Sequence, residues 1–435
     1  MHSQASTLRT VRVALAAAVV ATAAVALSAC SGGEAAKPSP AVSVSSSPLA
    51  ELTGSNPDAL GGDLTLKLGA VLPLTGPQNY YGRGPLRAVE LAIAQVRAAG
   101  GPQFELITKD HKSGDAQAAV QATRELGQDR VPMAIYSFAA VNGAALPGIE
   151  QYKILSLDGI GGTGSFGQGK PWFYGTRSLV PEDTYAGVAE YLTTSYPDVK
   201  KVASVLTDYG PEVVDGQVGA MEDALSDAGI EVISRDIAPA GTTDFSAIIS
   251  KINASDADAV ITVQFGADPG AFYKQYRDSG ADELVIGSDI NSDMIANAGA
   301  ALEGWEFASE YFDPSVARNP LGEYFVESYE DAYPDAGPPD SYAAGAYEDV
   351  LVFWLLVQRV IAAGGDPSDS QQLLDALEAD PVFPTVYGNG ETGTFSINLD
   401  THTVDSRFLG LYSYDGSKVV PIASYNIGGR DFTLQ

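Results

Sequence analysis

Cysteine is almost absent. The 435-residue chain has one, Cys30, which excludes an intrachain disulfide framework and any CxxC zinc site. Histidine is nearly as scarce: with only His2, His111 and His402, metal or triad chemistry built on imidazole is short of parts. GxSxG, HExxH and EF-hand signatures are all missing. Basic residues are outnumbered, 25 Lys plus Arg against 55 Asp plus Glu, for a formal charge of -30. No Lys/Arg stripe offsets that charge, so nucleic acid is not expected as a partner, and anionic membrane surfaces are poor partners for the same reason. Apolar residues are not lacking. A hydrophobic share of 45% can bury a sizeable core, and the length suggests two or three domains.

The solitary cysteine is informative through its position. Arg9 and Arg12 make a short positive start, residues 13–27 form an Ala-rich apolar run broken only by Thr22, and the run ends in Leu27-Ser28-Ala29-Cys30. That run is short for a spanning helix, and small residues precede a cleavable position, so residues 1–29 read as a secretory signal. Leu-Ser-Ala-Cys also resembles the bacterial lipoprotein box, which implies lipid attachment at Cys30 and anchoring to the outer face of the cytoplasmic membrane. A plain signal peptide or an uncleaved anchor is the alternative. Removing residues 1–29 takes away Arg9 and Arg12 and no acid, moving the charge from -30 to -32. Residues 30–63 hold Lys37-Pro38-Ser39-Pro40 and Ser45-Ser46-Ser47-Pro48 with little apolar periodicity, and read as a disordered tether.

From Leu64 onward strands and helices alternate. Strands are expected at residues 64–72, 104–109, 133–136 and 154–157, with helices at 85–99 and 115–126. A second series has strands at 201–206, 230–237, 259–264 and 283–286, with helices at 212–228, 244–254 and 269–279. Such alternation argues for parallel sheets covered on both faces, and each block is large enough for its own core. The expected class is therefore α/β, with two doubly wound Rossmann-like lobes. A long helix over residues 341–363 carries Tyr342, Tyr347, Val350, Phe353 and Trp354 at core-like spacing, and reads as structural.

Several segments in a fixed order resemble the solute-binding proteins of ABC importers for branched-chain amino acids, the type I periplasmic binding protein family. Residues 68–76, reading LGAVLPLTG and followed by Tyr81-Gly82, look like that family's first strand and mouth loop, and LAIAQVRAAGG at 91–101 is similar to its first helix. Further on come Tyr209-Gly210, GTTDFSAIISKI from Gly241, Ala257-Asp258-Ala259-Val260, Gly287-Ser288-Asp289, Leu302-Glu303-Gly304 and Pro339-Asp340-Ser341-Tyr342. The resemblance implies two lobes joined by a three-strand hinge, closing on a ligand. Crossings are expected near residues 176–181, 309–313 and 383–393, giving lobe 1 as 64–178 plus 312–385 and lobe 2 as 179–311 plus 386–435.

The same resemblance implies the ligand contacts. Tyr81 sits in a loop after the first strand, with a surface turn as the alternative. Family members often have a run of Ser and Thr after the third strand that receives a carboxylate; here the run is Ser137-Phe138-Ala139-Ala140-Val141-Asn142, a departure. Ser137, Ala139 and Asn142 are the candidates, with helix capping the alternative for the polar pair. Gly161, Gly162 and Thr163 lie in a Gly-rich loop whose backbone amides suit an anion. Its formal GxGxxG is weak as a dinucleotide fingerprint, because no convincing helix follows. On the second lobe stand Tyr209, Phe265 beside Gln264, and Asp289, which matches an acid that pairs with a ligand ammonium or else caps the next helix. Arg177 reads as a surface partner of Glu182 and Asp183, with an anionic ligand as the alternative.

The function expected is capture of a small polar solute, an amino acid or related amide or carboxylate, and its delivery to the permease subunits of an ABC importer. No cofactor, metal or catalytic residue is expected. A ligand-sensing receptor module with the same lobes is one contrasting reading. A secreted hydrolase is another, for which the two histidines beyond the signal, read as exposed, offer little.

Overall fold

The computed structural model describes residues 42–137, 139–161, 170–177, 181–208, 210–314, 319–387, 393–404, 409–426, 429 and 431–435. A short helix, α1 (Leu49–Leu52), precedes the first lobe, which continues as β1 (Thr65–Leu72), α2 (Tyr80–Ala98), β2 (Gln103–Asp110), α3 (Ala116–Gln128), β3 (Met133–Tyr136), α4 (Ala139–Tyr152), β4 (Leu155–Asp158) and β5 (Phe173–Gly175). These strands form one parallel sheet in the order β2-β1-β3-β4-β5. The strands β3 and β4 are buried along their whole length, as expected of parallel strands covered on both faces.

The second lobe repeats the pattern with α5 (Pro181–Ser195), β6 (Lys201–Asp208), α6 (Pro211–Asp227), β7 (Glu231–Pro239), α7 (Ser246–Asn253), β8 (Ala259–Val263), α8 (Asp268–Asp278), β9 (Leu284–Gly287), α9 (Ser292–Ala298) and β10 (Trp305–Ser309). The chain then returns to the first lobe as α10 (Pro320–Ala332), α11 (Ser341–Ala362), α12 (Ser370–Ala379), β11 (Val382–Pro384), β12 (Thr394–Asn398) and β13 (Thr403–Val404). It ends as β14 (Leu409–Tyr414), β15 (Val419–Tyr425) and β16 (Thr433–Leu434), which join the second sheet antiparallel, in the order β16-β15-β14-β10-β9-β8-β6-β7.

Acidic side chains start several helices: Asp115 accepts from the backbone of Gln117 and Ala118, Asp340 from Ala343, and Asp369 from Gln371. Each satisfies an amide that the first helical turn leaves open and sits favourably at the positive end of the helix dipole. Pro85 lies inside α2, not at its start. The helix begins instead at Tyr80, because the close fit of Gly82 against the Pro73 carbonyl seats this first turn on the end of β1.

Two boundaries differ from the sequence expectation. Residues 42–63 are not tether: Leu49 is fully buried in the first core, the Asn56 amide donates to Gln358 Oε1 (3.0 Å), and Trp354 Nε1 donates to the Leu60 carbonyl (3.1 Å). The segment docks onto α2 and α10 through α1 and onto α11 through Asn56 and Leu60, so burial offsets an ordering cost that composition alone makes look prohibitive. The third crossing also lies later than residues 383–393. Phe395, Ile397 and Val404 pack in the first core and Leu409 in the second, so the chain passes over between Val404 and Leu409. At the hinge, Gly175 donates to the His402 carbonyl (2.7 Å) and Val404 to the Arg177 carbonyl (3.2 Å), pairing the first passage with β13.

The helix α11 is buried along nearly its whole length and crosses the end of β4 at backbone contact. A side chain at Gly345 would overlap the Gly159 carbonyl, and one at Gly159 would meet the Gly345 carbonyl. Only glycine permits this approach.

Candidate functional site

In each lobe the five parallel strands run in an order that reverses beside the first strand, β2-β1-β3 in one and β7-β6-β8 in the other. Crevices for ligands open at the carboxyl ends of strands at such switch points. The segments that follow β1, β3, β4, β5, β8 and β9 therefore define the candidate site, and they carry most of the sequence candidates.

Tyr81 and Asp289 meet across the lobes. The Tyr81 hydroxyl donates to Asp289 Oδ2 (2.8 Å) and accepts from the Gly266 amide (2.6 Å), with all three groups buried. Tyr81 belongs to the first turn of α2, and Asp289 follows β9, so this is neither a surface turn nor a helix cap. The cap of α9 is Asn291, whose Oδ1 accepts from Met294, while its Nδ2 donates to the Gly266 carbonyl (3.0 Å) and Asp289 Oδ2 (3.3 Å). Trp305 Nε1 donates to the Asp289 carbonyl (2.9 Å), fixing the backbone. Gly266 has a φ of +72°, which lets its amide turn toward Tyr81.

Burial raises the Asp289 carboxyl above the usual carboxylate range; hydrogen bonds from Tyr81, Asn291 and Tyr342 oppose this, and nearby Asp340 adds to it. Asp340 is raised by burial as well and accepts from the Tyr80 hydroxyl. Tyr80, Tyr81 and Tyr342 form an edge-on cluster, with ring centroids 5.4 Å (Tyr80–Tyr81) and 4.8 Å (Tyr81–Tyr342) apart. Tyr342 was expected as core and Tyr80 was not singled out. The signal lay in Pro339-Asp340-Ser341-Tyr342, whose order places the tyrosine at the start of α11, facing the same cluster. At the rim, Arg83 and Asp293 form an exposed ion pair of 3.5 Å between lobes, of small energetic weight.

The first-lobe face is built on Asp158, at the end of β4. Its Oδ1 accepts from the amides of Ile160 (2.9 Å) and Gly161 (2.6 Å), and its Oδ2 from Asn142 Nδ2 (2.8 Å). The Gly161 amide, expected to face an anion, is thus engaged within the chain. Ser137 and Asn142 are fully buried, Asn142 lies within α4, and Ala139 is the first residue of that helix. Arg177 corrects the surface reading: it is 1% exposed, its Nη1 donates to the Ile160 carbonyl (2.6 Å), and its guanidinium stands 5.2 Å from the Tyr342 ring. Behind this face Asp349 accepts from Thr176 Oγ1 (2.6 Å) and the Gly159 amide (3.0 Å), and burial pushes its carboxyl up to about 8.

Several buried polar atoms at these strand ends have no hydrogen-bond partner among the described residues: Ser137 Oγ, Asn142 Oδ1, Arg177 Nε and Nη2, and both amide atoms of Gln264. Each such atom costs about 1–3 kcal/mol when sealed from water, which makes these six candidates for contact with a ligand. Next to Gln264, Phe265 packs against both the first core and the second. A cavity of about 440 Å³ at the cleft mouth is lined from both lobes by Tyr80, Arg83, Asp340, Ile290, Asn291 and Tyr311. A larger one of about 740 Å³ lies away from the strand ends, between residues 42–46 and α10.

Gly162, Thr163, Tyr209 and Cys30 lie outside the described residues. Both described histidines are buried, contrary to the exposed reading. His402 stacks on Tyr174 with centroids 4.1 Å apart, and burial lowers the His111 imidazole to about 4. Among the described residues no cluster of His, Cys, Asp and Glu suits a metal ion, and no helix is long and apolar enough to cross a membrane.

Residues 65–407 match the family model described as periplasmic binding protein. A Leu/Ile/Val-binding protein homolog 2 of Brucella abortus is 26% identical over 345 residues, 76% of this chain and 87% of that protein. Among solved structures, the branched-chain amino acid transporter substrate binding protein LivJ of Streptococcus pneumoniae, in complex with isoleucine, superposes with a TM-score of 0.71 at 21% identity, over 83% of this chain and 99% of that one. A solute binding protein of an ABC transporter from R. palustris, in complex with benzoate, gives 0.72 at 19% identity, over 85% and 98%. At these identities the solved structures are similar in fold.

Proposed function

Since the chain belongs to the periplasmic binding protein family, we propose that it is an extracytoplasmic solute-binding protein whose lobes close on a small polar molecule and hand it to the permease subunits of an ABC importer. The observation that carries this reading is the Tyr81 hydroxyl, bonded at once to Asp289 and to the Gly266 amide of the opposite lobe. A contact of this kind exists only when the lobes are together, and it lies at the strand ends where orphaned polar atoms from both lobes collect. Closure excludes water from these groups, and a solute with matching donors and acceptors satisfies them.

The residues assigned to the solute are Tyr81, Ser137, Asn142, Gln264, Phe265 and Asp289, together with Gly162, Thr163 and Tyr209 on the strength of the sequence resemblance. The solute class is that of the named relatives, amino acids and aromatic acids, extended to their amides. Cys30 carries the lipid that holds the body to the outer face of the membrane, and residues 31–41 serve as a short tether.

The test is a thermal-shift screen of the purified protein against amino acids, amides, ureas and aromatic acids. A specific solute raises the melting midpoint by mass action, by about 2.7 kcal/mol of added stability at a hundredfold excess over Kd. No shift with any of these compounds, together with hydrolytic turnover of one of them, would sink the binding reading.

A further inference from the structure

We propose that Arg177 is the residue that selects the solute, receiving a carboxylate on the side edge of its guanidinium and so excluding the corresponding amide. This inference rests on the solute-binding reading and narrows it to acids.

Arg177 is 1% exposed and forms no ion pair among the described residues. Among the described residues its side chain makes one hydrogen bond, from Nη1 to the Ile160 carbonyl. Asp158, Glu310 and Asp340 act on it electrostatically, yet both oxygens of Asp158 accept from Ile160, Gly161 and Asn142, and Asp340 accepts from Tyr80 and the Ala343 amide. Carboxylates near the guanidinium hold its charge, but buried donors left without an acceptor are costly, and proteins rarely leave them so.

The two unpartnered atoms are Nε and Nη2. They lie on the same edge of the planar guanidinium, with parallel N–H bonds at the spacing of two carboxylate oxygens. This fork accepts a carboxylate bidentately. A carboxamide offers one acceptor oxygen, and its NH2 group would face a donor.

The surroundings suit that role. The hinge holds the Arg177 backbone, because its carbonyl accepts from Val404. Tyr342 covers one side at 5.2 Å and in turn packs on Tyr81, 4.8 Å away, which holds the bond to Asp289. Ser137 Oγ, also unpartnered, stands at the end of β3 in the same sheet. The first lobe thus replaces the run of hydroxyls absent at residues 137–142 with a single fork-shaped cation.

The test uses three acid and amide pairs, isoleucine with isoleucinamide, benzoate with benzamide, and 4-hydroxybenzoate with 4-hydroxybenzamide, titrated calorimetrically into the purified protein and into Arg177→Met and Arg177→Lys. The expected result is that at least one acid binds, its amide binds at least 100-fold more weakly, and Arg177→Met abolishes acid binding. Arg177→Lys, which keeps the charge but loses the fork, should weaken the acid by 10-fold or more, and decides the matter if the Met variant does not fold. An amide that binds as well as its acid, or wild-type affinity for the acid in Arg177→Lys, overturns the proposal and leaves solute binding intact. Failure of all six compounds to bind counts against both.

Discussion

The hydroxyl of Tyr81 donates to the carboxylate of Asp289 at 2.8 Å across the two lobes, and both residues are buried. One side chain comes from the first turn of a helix that follows the first strand, the other from the end of β9, more than two hundred positions away in the chain. No local interaction brings them together, so the bond reports the closed arrangement of the cleft.

Replacing Tyr81 by Phe removes that bond and leaves the Gly266 amide without its acceptor. A hydrogen bond to a charged or strongly polar partner contributes about 1.5–3 kcal/mol, so solute affinity should fall about 10- to 100-fold. The melting midpoint of the free protein should change little, because the bond lies between lobes and not inside a core. Calorimetric titration of wild type and variant with the same solute checks the first expectation, and a thermal scan the second.

Asp349 gives the protein a pH dependence with a definite sign. Its carboxyl is raised from 3.8 to about 8 by burial, so the folded state binds a proton that the unfolded chain releases. Stability should therefore fall as pH rises from about 4 to about 8, by up to about 1.4 kcal/mol per unit from this group, and level off above that. In Asp349→Asn this component disappears. Thermal midpoints measured between pH 5 and pH 9 should show a flatter profile for the variant; parallel profiles would reject the assignment.

Much of the architecture was legible in the sequence, and the reasons for the exceptions are physical. Alternating apolar strands and amphipathic helices indicate two doubly wound sheets, since a strand buried on both faces leaves an unbroken run such as Met133-Ala134-Ile135-Tyr136. Short antiparallel strands near the carboxyl end carry no such signature: nothing in Thr394–Asn398 tells which of two cores receives Phe395 and Ile397. Of the candidate site, Tyr81 was singled out by its place after the first strand and Asp289 by the family resemblance, and the structure brings the two together. Arg177 was not, since neighbouring Glu182 and Asp183 offer plausible surface partners and burial is set by residues far off in the chain. Tyr342 was hidden by an aromatic spacing that serves the core for the rest of its helix.

Gly345 tests the seating of α11. Its Ala variant places a methyl group against the Gly159 carbonyl, a contact that backbone must yield to relieve. Overpacking of this kind costs about 1–3 kcal/mol, and because Gly159 carries the loop after β4, solute affinity should fall along with stability. Chemical denaturation and calorimetry on Gly345→Ala measure the two effects separately.

Leu49 tests whether residues 42–63 belong to the folded body. Its side chain is fully buried in the first core, so Leu49→Ala should destabilise the protein by about 2–5 kcal/mol. A change within about 0.5 kcal/mol by denaturant titration is what a free tether would give.

The most direct measurement of lobe closure on a solute is small-angle X-ray scattering from the purified protein, free and saturated with an acid that binds. The radius of gyration should decrease on saturation, and Tyr81→Phe should need a higher solute concentration for the same change. Superimposable curves with and without bound solute would contradict closure of the lobes as the means of capture.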